Sequence, residues 1–260
     1  MQELQEKFLN GQIILIDKPL KWTSFDVVKK IHFQLRKELG LSKIKVGHAG
    51  TLDPLATGLL ILCTGKFTKK IDEIQALTKE YTGTITIGAT TPSFDLEQEV
   101  DEEFQTEHIT IEMIKELAKS FVGEQQQTAP IHSAKKIDGK RAYEYARSGE
   151  EVEIKSSTIT IKSFEILGIS NNINDLKDKV VVDENYKNER INLTNNYEKG
   201  LHVKFKISCS KGTYIRSIAR DFGIKLNSGA HLSELRRTKI GNFDVENALS
   251  KIEISELITL

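Results

Sequence analysis

Val46-Gly47-His48-Ala49-Gly50-Thr51-Leu52-Asp53-Pro54-Leu55-Ala56-Thr57-Gly58 gathers three glycines, one proline, one imidazole and one carboxylate into 13 residues. Extended segments are expected on both sides of its centre, Lys45 to Gly50 and Gly58 to Thr64. Glycine permits tight turns and close backbone approach, and Pro54 stiffens the chain directly after the acid. A rigid loop that presents a single aspartate suits a nucleophile platform. The same pattern also fits a structural turn in which Asp53 caps a local backbone donor, and the residues leave both readings open. A phosphate-binding P-loop is excluded, because Gly-x4-Gly-Lys-Ser/Thr is absent. His48 lacks the further ligands that a metal site needs, so no metal is expected.

Outward from this loop, the chain alternates strands and helices without a regular βαβ repeat. Gln12 to Asp17 reads as a short buried strand. Thr23 or Ser24 then caps a helix carrying Phe25, Val28, Ile31, Leu35 and Leu39 at helical spacing, and Gly40 stops it. A second helix is expected over Lys69–Leu77, a strand over Tyr81–Thr90, and an acidic loop over Asp95–Glu107. Thr110 caps a helix bearing Ile114, Leu117, Ala118 and Phe121 and ended by Gly123. A strand over His132–Ile137, a turn at Asp138-Gly139, a short helix over Arg141–Arg147 and strands near Glu151–Ile154 and Thr158–Ile169 follow. Residues 170–200, rich in Asn, Asp and Lys, read as an inserted loop with a hairpin through Val180–Val182. Leu201–Cys209 alternates as a strand, Thr213–Leu226 as a helix, and Ala230–Ile240 returns to extended structure before weakly helical last turns. This order predicts an α+β fold around a mixed or antiparallel sheet.

Composition narrows the function classes. The 260 residues are 38% hydrophobic and 28% charged, ordinary values for a globular chain and unlike collagen or a wholly disordered segment. The longest strongly apolar stretch, Gly58 to Cys63, is too short to span a bilayer, and Met1 to Asn10 lacks the apolar core of a signal peptide. Two cysteines, Cys63 and Cys209, are too few for a disulfide framework or a zinc cluster. A cytoplasmic, metal-free protein is expected. The 37 basic and 37 acidic residues cancel overall but not locally. Residues 1–80 hold 13 basic and 9 acidic residues, a net +4; residues 81–130 hold 2 and 10, a net −8; residues 201–241 hold 9 and 2, a net +7. The two basic blocks would form an anion-binding face if the fold brings them together.

At this point six ordered blocks acquire a common reading. The Gly47–Gly58 stretch resembles the central motif of the TruB type of tRNA pseudouridine synthase, with Asp53 in the place of the catalytic aspartate. Asp17-Lys18-Pro19 with Thr23-Ser24-Phe25-Asp26 resembles that family's N-terminal signature, and Lys79-Glu80-Tyr81 its tyrosine-bearing strand. His132 to Lys136 with Gly139 to Arg147, Ser208 to Arg216, and Gly229 to Leu232 with Leu235 to Thr238 resemble the remaining blocks. The resemblance spans residues 11 to 241, so residues 1–241 are expected to be a pseudouridine-synthase catalytic domain interrupted by the insertion at about 170–200. Residues 242–260 would be a short tail, without the RNA-binding PUA domain that many family members carry.

The resemblance implies isomerisation of the T-loop uridine of tRNA, uridine 55 in tRNA numbering, to pseudouridine, with no cofactor. Asp53 would be the essential carboxylate, acting either as nucleophile or as the base that opens a glycal route. Such a carboxylate suits a reaction that builds positive character on a sugar. Tyr81 would stack on the flipped uracil, and Arg216 would pair with Asp53 and keep it ionised. Tyr214 and Leu235 would wall the pocket, His48 would contact loop nucleotides displaced by flipping, and Lys18 would sit near the site. Without the resemblance, Tyr81, Tyr214 and Leu235 read as core, Arg216 as a surface arginine and His48 as a turn histidine. Lys211, Arg236, Arg237 and Lys239 are candidate phosphate contacts. The expected partner is the tRNA T-arm stem-loop, met by a monomer with no membrane attachment. The competing readings are a non-catalytic tRNA-binding or folding module, a pseudouridine synthase for another RNA, and a nucleoside hydrolase, which would need a second acid or a metal.

Overall fold

The computed structural model describes residues 1–252 apart from 134, 151, 178, 179 and 187, and apart from the side chain of Arg147. Helix α1 (Gln2–Asn10) precedes strand β1 (Ile13–Lys18), helix α2 (Ser24–Leu39) and strands β2 (Val46–His48) and β3 (Ala56–Thr64). A 3-10 turn over Gly65–Lys70 runs into helix α3 (Ile71–Ala76). Strand β4 (Lys79–Ile87) leads through the short β5 (Ala89–Thr90) and β6 (Glu102–Glu103) to helix α4 (Ile111–Ser120) and strand β7 (Gly123–Gln127). A small ribbon of β8 (Lys136–Ile137) and β9 (Lys140–Arg141) opens into helix α5 (Ala142–Ser148). The long β10 (Ser157–Ser170), β11 (Leu201–Cys209), helix α6 (Ile215–Lys225), β12 (Ala230–Ile240) and β13 (Phe243–Asp244) complete the order. The α+β class expected from the sequence is the observed one.

The chain divides into two compact units, the described residues within 1–81, 179–191 and 236–260 forming the first and those within 82–178 and 192–235 the second. In the first unit the strand order is β1-β3-β12, with β2 also on β3 and β13 on β12. All nine residues of β3 are buried, which suits the run Leu59-Leu60-Ile61-Leu62. Ala49, Leu59, Ile61, Cys63, Ile74, Ile240 and Val245 form one apolar cluster there. Helix α2 starts at Thr23, whose hydroxyl accepts from the Asp26 N–H at 3.0 Å, and stops at Gly40 in the left-handed region. The antiparallel register sets Lys18, the last residue of β1, opposite Gly58 near the start of β3. The loop that precedes β3 is therefore held over the loop that follows β1. That register creates the neighbourhood of Asp53.

The boundary between the units falls within β4, after Tyr81, and within β12, before Arg236; in the second unit the order is β12-β4-β11-β10-β7. The β10–β11 ladder is antiparallel, with irregularities between Ile161 and Ser163 and between Ile166 and Gly168. Phe121, Phe164, Phe205 and Phe222 form its aromatic centre, with neighbouring ring centroids 5.7–6.0 Å apart.

Several local expectations are corrected. Residues 180–182 form no hairpin; instead the Val181 carbonyl accepts from the Leu20 N–H at 3.0 Å. The strand expected over His132–Ile137 shrinks to Lys136–Ile137, and residues 152–154 are irregular while 151 lies outside the described residues. Helix α1 and strand β7 arise where no element was expected. The first presents few apolar residues, with Phe8 its buried contact. The second is written in polar residues (Gly123-Glu124-Gln125-Gln126-Gln127) and is a strand because β10 pairs with it, Ser157 to Ile161 against Gln127 to Gly123. The expected helix over Lys69–Leu77 begins as a 3-10 turn and is helical only over Ile71–Ala76. Of the final turns, Val245–Asn247 is a 3-10 turn, and residues 253–260 lie outside the described residues.

Candidate active site

Asp53 ends the irregular part of its loop, partly exposed, with its carbonyl accepting from the Ala56 N–H at 3.1 Å. The loop is gripped from three sides within the first unit. Ser24, the first residue of α2, donates its hydroxyl to the Leu52 carbonyl at 3.1 Å and accepts from the Leu52 N–H at 2.9 Å. Lys18, fully buried, directs its Nζ at three carbonyls: Trp22 at 2.6 Å, Pro19 at 3.0 Å and Pro54 at 3.3 Å. Arg237, 1% exposed, donates from Nε to the Leu59 carbonyl at 2.8 Å and from Nη2 to Gly50 at 3.1 Å. Gly58, at φ +98°, admits this packing because a Cβ there would stand 2.3 Å from the Arg237 carbonyl oxygen. The loop is a braced support for one carboxylate.

The electrostatics follow from burial. Desolvation pushes the Lys18 pKa down to about 7, opposed chiefly by the negative charge of Asp53, while Arg237 pushes the same way as burial. Burial and the Arg237 guanidinium hold the His48 imidazole below its ordinary value, so it is neutral at pH 7. Its Nδ1 is buried and makes no hydrogen bond among the described residues. Tyr81, 8% exposed, stands near the start of β4. Among the residues singled out from the sequence, the first unit thus holds Asp53, Lys18, His48 and Tyr81.

The second unit holds Tyr214, Arg216 and Leu235. Arg216 is 4% exposed and donates to the Ser93 carbonyl at 3.1 Å and the His132 carbonyl at 2.9 Å, with its Nε 3.5 Å from an Asp95 oxygen. Asp95 is itself fixed by the Ser93 hydroxyl at 2.6 Å and the Glu97 N–H at 3.0 Å. Tyr214 is the N-cap residue of α6, and the side-chain amide of Gln127 clamps its backbone. The Tyr214 N–H donates to Gln127 Oε1 at 2.8 Å, and Gln127 Nε2 donates back to the Tyr214 carbonyl at 3.1 Å. Leu235 is half-buried in β12.

Two candidate phosphate contacts are corrected. Arg237 is consumed by backbone carbonyls inside the first unit. Arg236 makes a two-pronged pair with Asp17, 2.8 and 2.7 Å, largely shielded from solvent. Lys239 lies 3.3 Å from Asp244 and is half exposed, while Lys211 is exposed. No cluster of three or more His, Cys, Asp or Glu suited to a metal occurs among the described residues.

This arrangement has known relatives. The N-terminal domain model of the TruB family of pseudouridylate synthases matches residues 36–215, and the C-terminal domain model of tRNA pseudouridylate synthase B matches residues 216–259. The chain belongs to the TruB family. It is 54% identical over 245 residues to the tRNA pseudouridine synthase B of Flavobacterium johnsoniae, covering 94% of each chain. The protein of the same name from Phocaeicola vulgatus is 50% identical over 243 residues, covering 94% of this chain and 91% of that one. Among solved structures, a chain of an H/ACA ribonucleoprotein bound to a substrate RNA containing 2'-deoxyuridine aligns with a TM-score of 0.59 and 25% identity. A chain of a Cbf5-Nop10-Gar1 complex aligns with a TM-score of 0.59 and 27% identity. The alignments cover 96% and 92% of this chain but only 53% and 52% of theirs.

Membership of the TruB family accounts for the motifs but not for what braces them. Ser24, Trp22, Gln127, Asp95 and Arg237 emerged as structural partners only from the fold. Asp95 was one of ten acids in the net −8 segment. Gln127 closed a run of three glutamines and carried no sign that it alone turns inward. The charge of Arg237 marks it as a phosphate contact in the sequence, whereas its guanidinium is buried on the Leu59 and Gly50 carbonyls.

Proposed function

We propose that this chain is a tRNA pseudouridine synthase that isomerises the T-loop uridine, uridine 55 in tRNA numbering. The C1′–N1 bond breaks, uracil rotates, a C1′–C5 bond forms, and the C5 proton is replaced by one on N1. Asp53 is the catalytic carboxylate, either as nucleophile or as the base of a glycal route. Tyr81 stacks on the flipped uracil, an interaction typically worth about 1–3 kcal/mol per base. Arg216 is the arginine partner proposed for Asp53, Tyr214 and Leu235 wall the base, His48 meets the displaced loop nucleotides, and Lys18 steadies the loop. The observation that carries the reading is the sequence identity extending over almost the whole length of synthases of that name. The bracing of the Asp53 loop by Ser24, Lys18 and Arg237 supports it physically, since a carboxylate acting on a flipped sugar gains from a fixed position.

On this reading the protein works in the cytoplasm as a monomer on the T-arm stem-loop, and residues 1–241 are the catalytic domain with residues 242–260 as its tail. No helix among the described residues is long and apolar enough to cross a membrane. The test is tritium release from a T-arm stem-loop labelled at uracil C5, with the native protein and Asp53→Asn side by side. Formation of the C5–C1′ bond expels the label, so release by the native protein alone is the expected result. Binding without release from either protein would favour an RNA-binding module or a different RNA target.

A further inference from the structure

The insertion at 170–200 has no part in the reaction as described, yet its residues Val181, Asp183 and Tyr186 pack onto the loop that carries Lys18 and the start of α2. The Tyr186 ring stacks on the Trp22 indole, with centroids 3.7 Å apart and planes at 26°. Its hydroxyl donates to Asp26 Oδ2 at 3.0 Å and accepts from Asn188 Nδ2 at 3.2 Å. Asp26 in turn belongs to the cap of α2, where its N–H donates to the Thr23 hydroxyl. Two further ties flank the stack. The Val181 carbonyl accepts from the Leu20 N–H at 3.0 Å, and Lys30, whose Nζ lies 5.1 Å from the centre of the Trp22 ring, stands 3.9 Å from Asp183. The covered residue is the one that matters. The Trp22 carbonyl is the shortest partner of Lys18 Nζ, which also reaches the Pro54 carbonyl beside Asp53, and the Lys21 N–H donates to the same Pro54 carbonyl at 2.9 Å. Lys21 sits at φ +66°, a conformation a lysine does not hold without support from its surroundings.

From this chain of contacts we infer that Tyr186 is a positioning residue for the isomerisation: the inserted segment clamps Trp22, Trp22 fixes Lys18, and Lys18 fixes the Asp53-Pro54 turn. The inference rests on the proposed function and adds to it a residue outside the motifs. An aromatic cover suits the task, because Trp22 is 4% exposed and would lose that shelter without the opposing ring. The role is geometric, so it acts on the rate of the chemical step and leaves RNA affinity in place. Tyr186 is positioned here for the first unit alone; every contact in the chain belongs to that unit.

The test exploits the fact that Trp22 is the single tryptophan of the chain, so its emission reports the clamp directly. Native protein, Tyr186→Ala and Tyr186→Phe are compared by acrylamide quenching of tryptophan fluorescence, thermal unfolding, RNA dissociation constant and single-turnover tritium release. Alanine should expose Trp22 to quencher and slow release by about 10–100-fold, with the dissociation constant changed less than about threefold. Phenylalanine should retain the shielding and at least a third of the native rate, because the stack rather than the hydroxyl carries the clamp. If alanine lowers the melting temperature below the assay range, Tyr186→Leu, which removes the ring and covers less of the Trp22 indole face, takes its place, with quenching raised above native and release slowed by the same range. A native rate with Trp22 exposed, unchanged quenching, or a loss that falls on RNA affinity instead of rate would each overturn the proposal. A native protein that releases no tritium would refute the parent reading, while the quenching arm would still report the clamp by itself.

Discussion

On the proposed reading, the carboxylate at position 53 is the residue on which the chemistry turns, and its mutants separate chemistry from binding. Asp53→Asn keeps size and hydrogen-bonding shape but removes the charge, so turnover should fall by at least about 1,000-fold while RNA binding changes by less than about threefold; single-turnover tritium release and filter binding check both numbers. Tyr81→Leu should preserve binding within about tenfold and lose most turnover, since the ring proposed to stack on uracil is replaced by a smaller apolar side chain without a π face; unchanged kinetics would remove Tyr81 from the mechanism. Both residues were legible in the sequence because they stand inside motifs. Their neighbours were not. Lys18 was legible as a motif lysine, but its task, tying three carbonyls together, depends on where Pro19, Trp22 and Pro54 come to lie.

At the scale of single elements, the β1 end and the β3 start act as one support. Lys18→Met should therefore cost activity through the Asp53-Pro54 turn, about 100-fold in single-turnover rate for a displacement of an ångström or so. The same substitution gives a stability test whose sign is fixed. The folded-state pKa of Lys18 is about 7 against 10.5 for an unperturbed lysine, so between these values the unfolded chain binds more protons. Its burial cost is fully present below pH 7, and its contribution to stability rises as pH climbs from about 7 to 10.5. Urea unfolding at pH 6.5 and 9.5 should show native stability gaining relative to Lys18→Met by up to a few kcal/mol; a difference independent of pH would contradict the burial argument. Gly58→Ala is a second element-scale case. The left-handed backbone and the 2.3 Å approach to the Arg237 carbonyl leave no room for Cβ, so a loss of at least about 3 kcal/mol in unfolding free energy, or failure to accumulate folded protein, is expected.

The whole molecule shows how charge in a sequence differs from charge offered to a ligand. The net +7 of residues 201–241 includes Arg216, Arg236 and Arg237, and all three are engaged in bonds inside their own units. RNA affinity should still fall with salt, since phosphate contacts release counterions, but with a slope set by fewer cations than that segment contains; titrations at 50 and 200 mM salt measure it. The sequence by itself determined the α+β class, the length of most strands and helices, the position of the acid-bearing loop and the family. Each of these is written locally, in periodicity, in caps such as Thr23 and Gly40, or in a contiguous motif. Only the tertiary structure decided that the polar run Gly123–Gln127 is a strand, because β10 supplies its partner, and that Val181 and Tyr186 of the insertion cover the Lys18 loop instead of forming a hairpin. It alone assigned Arg237 to backbone carbonyls and Gln127 to the α6 cap. Those outcomes depend on which distant backbone groups remain unsatisfied after folding, and a buried donor must meet one of them wherever in the chain it lies.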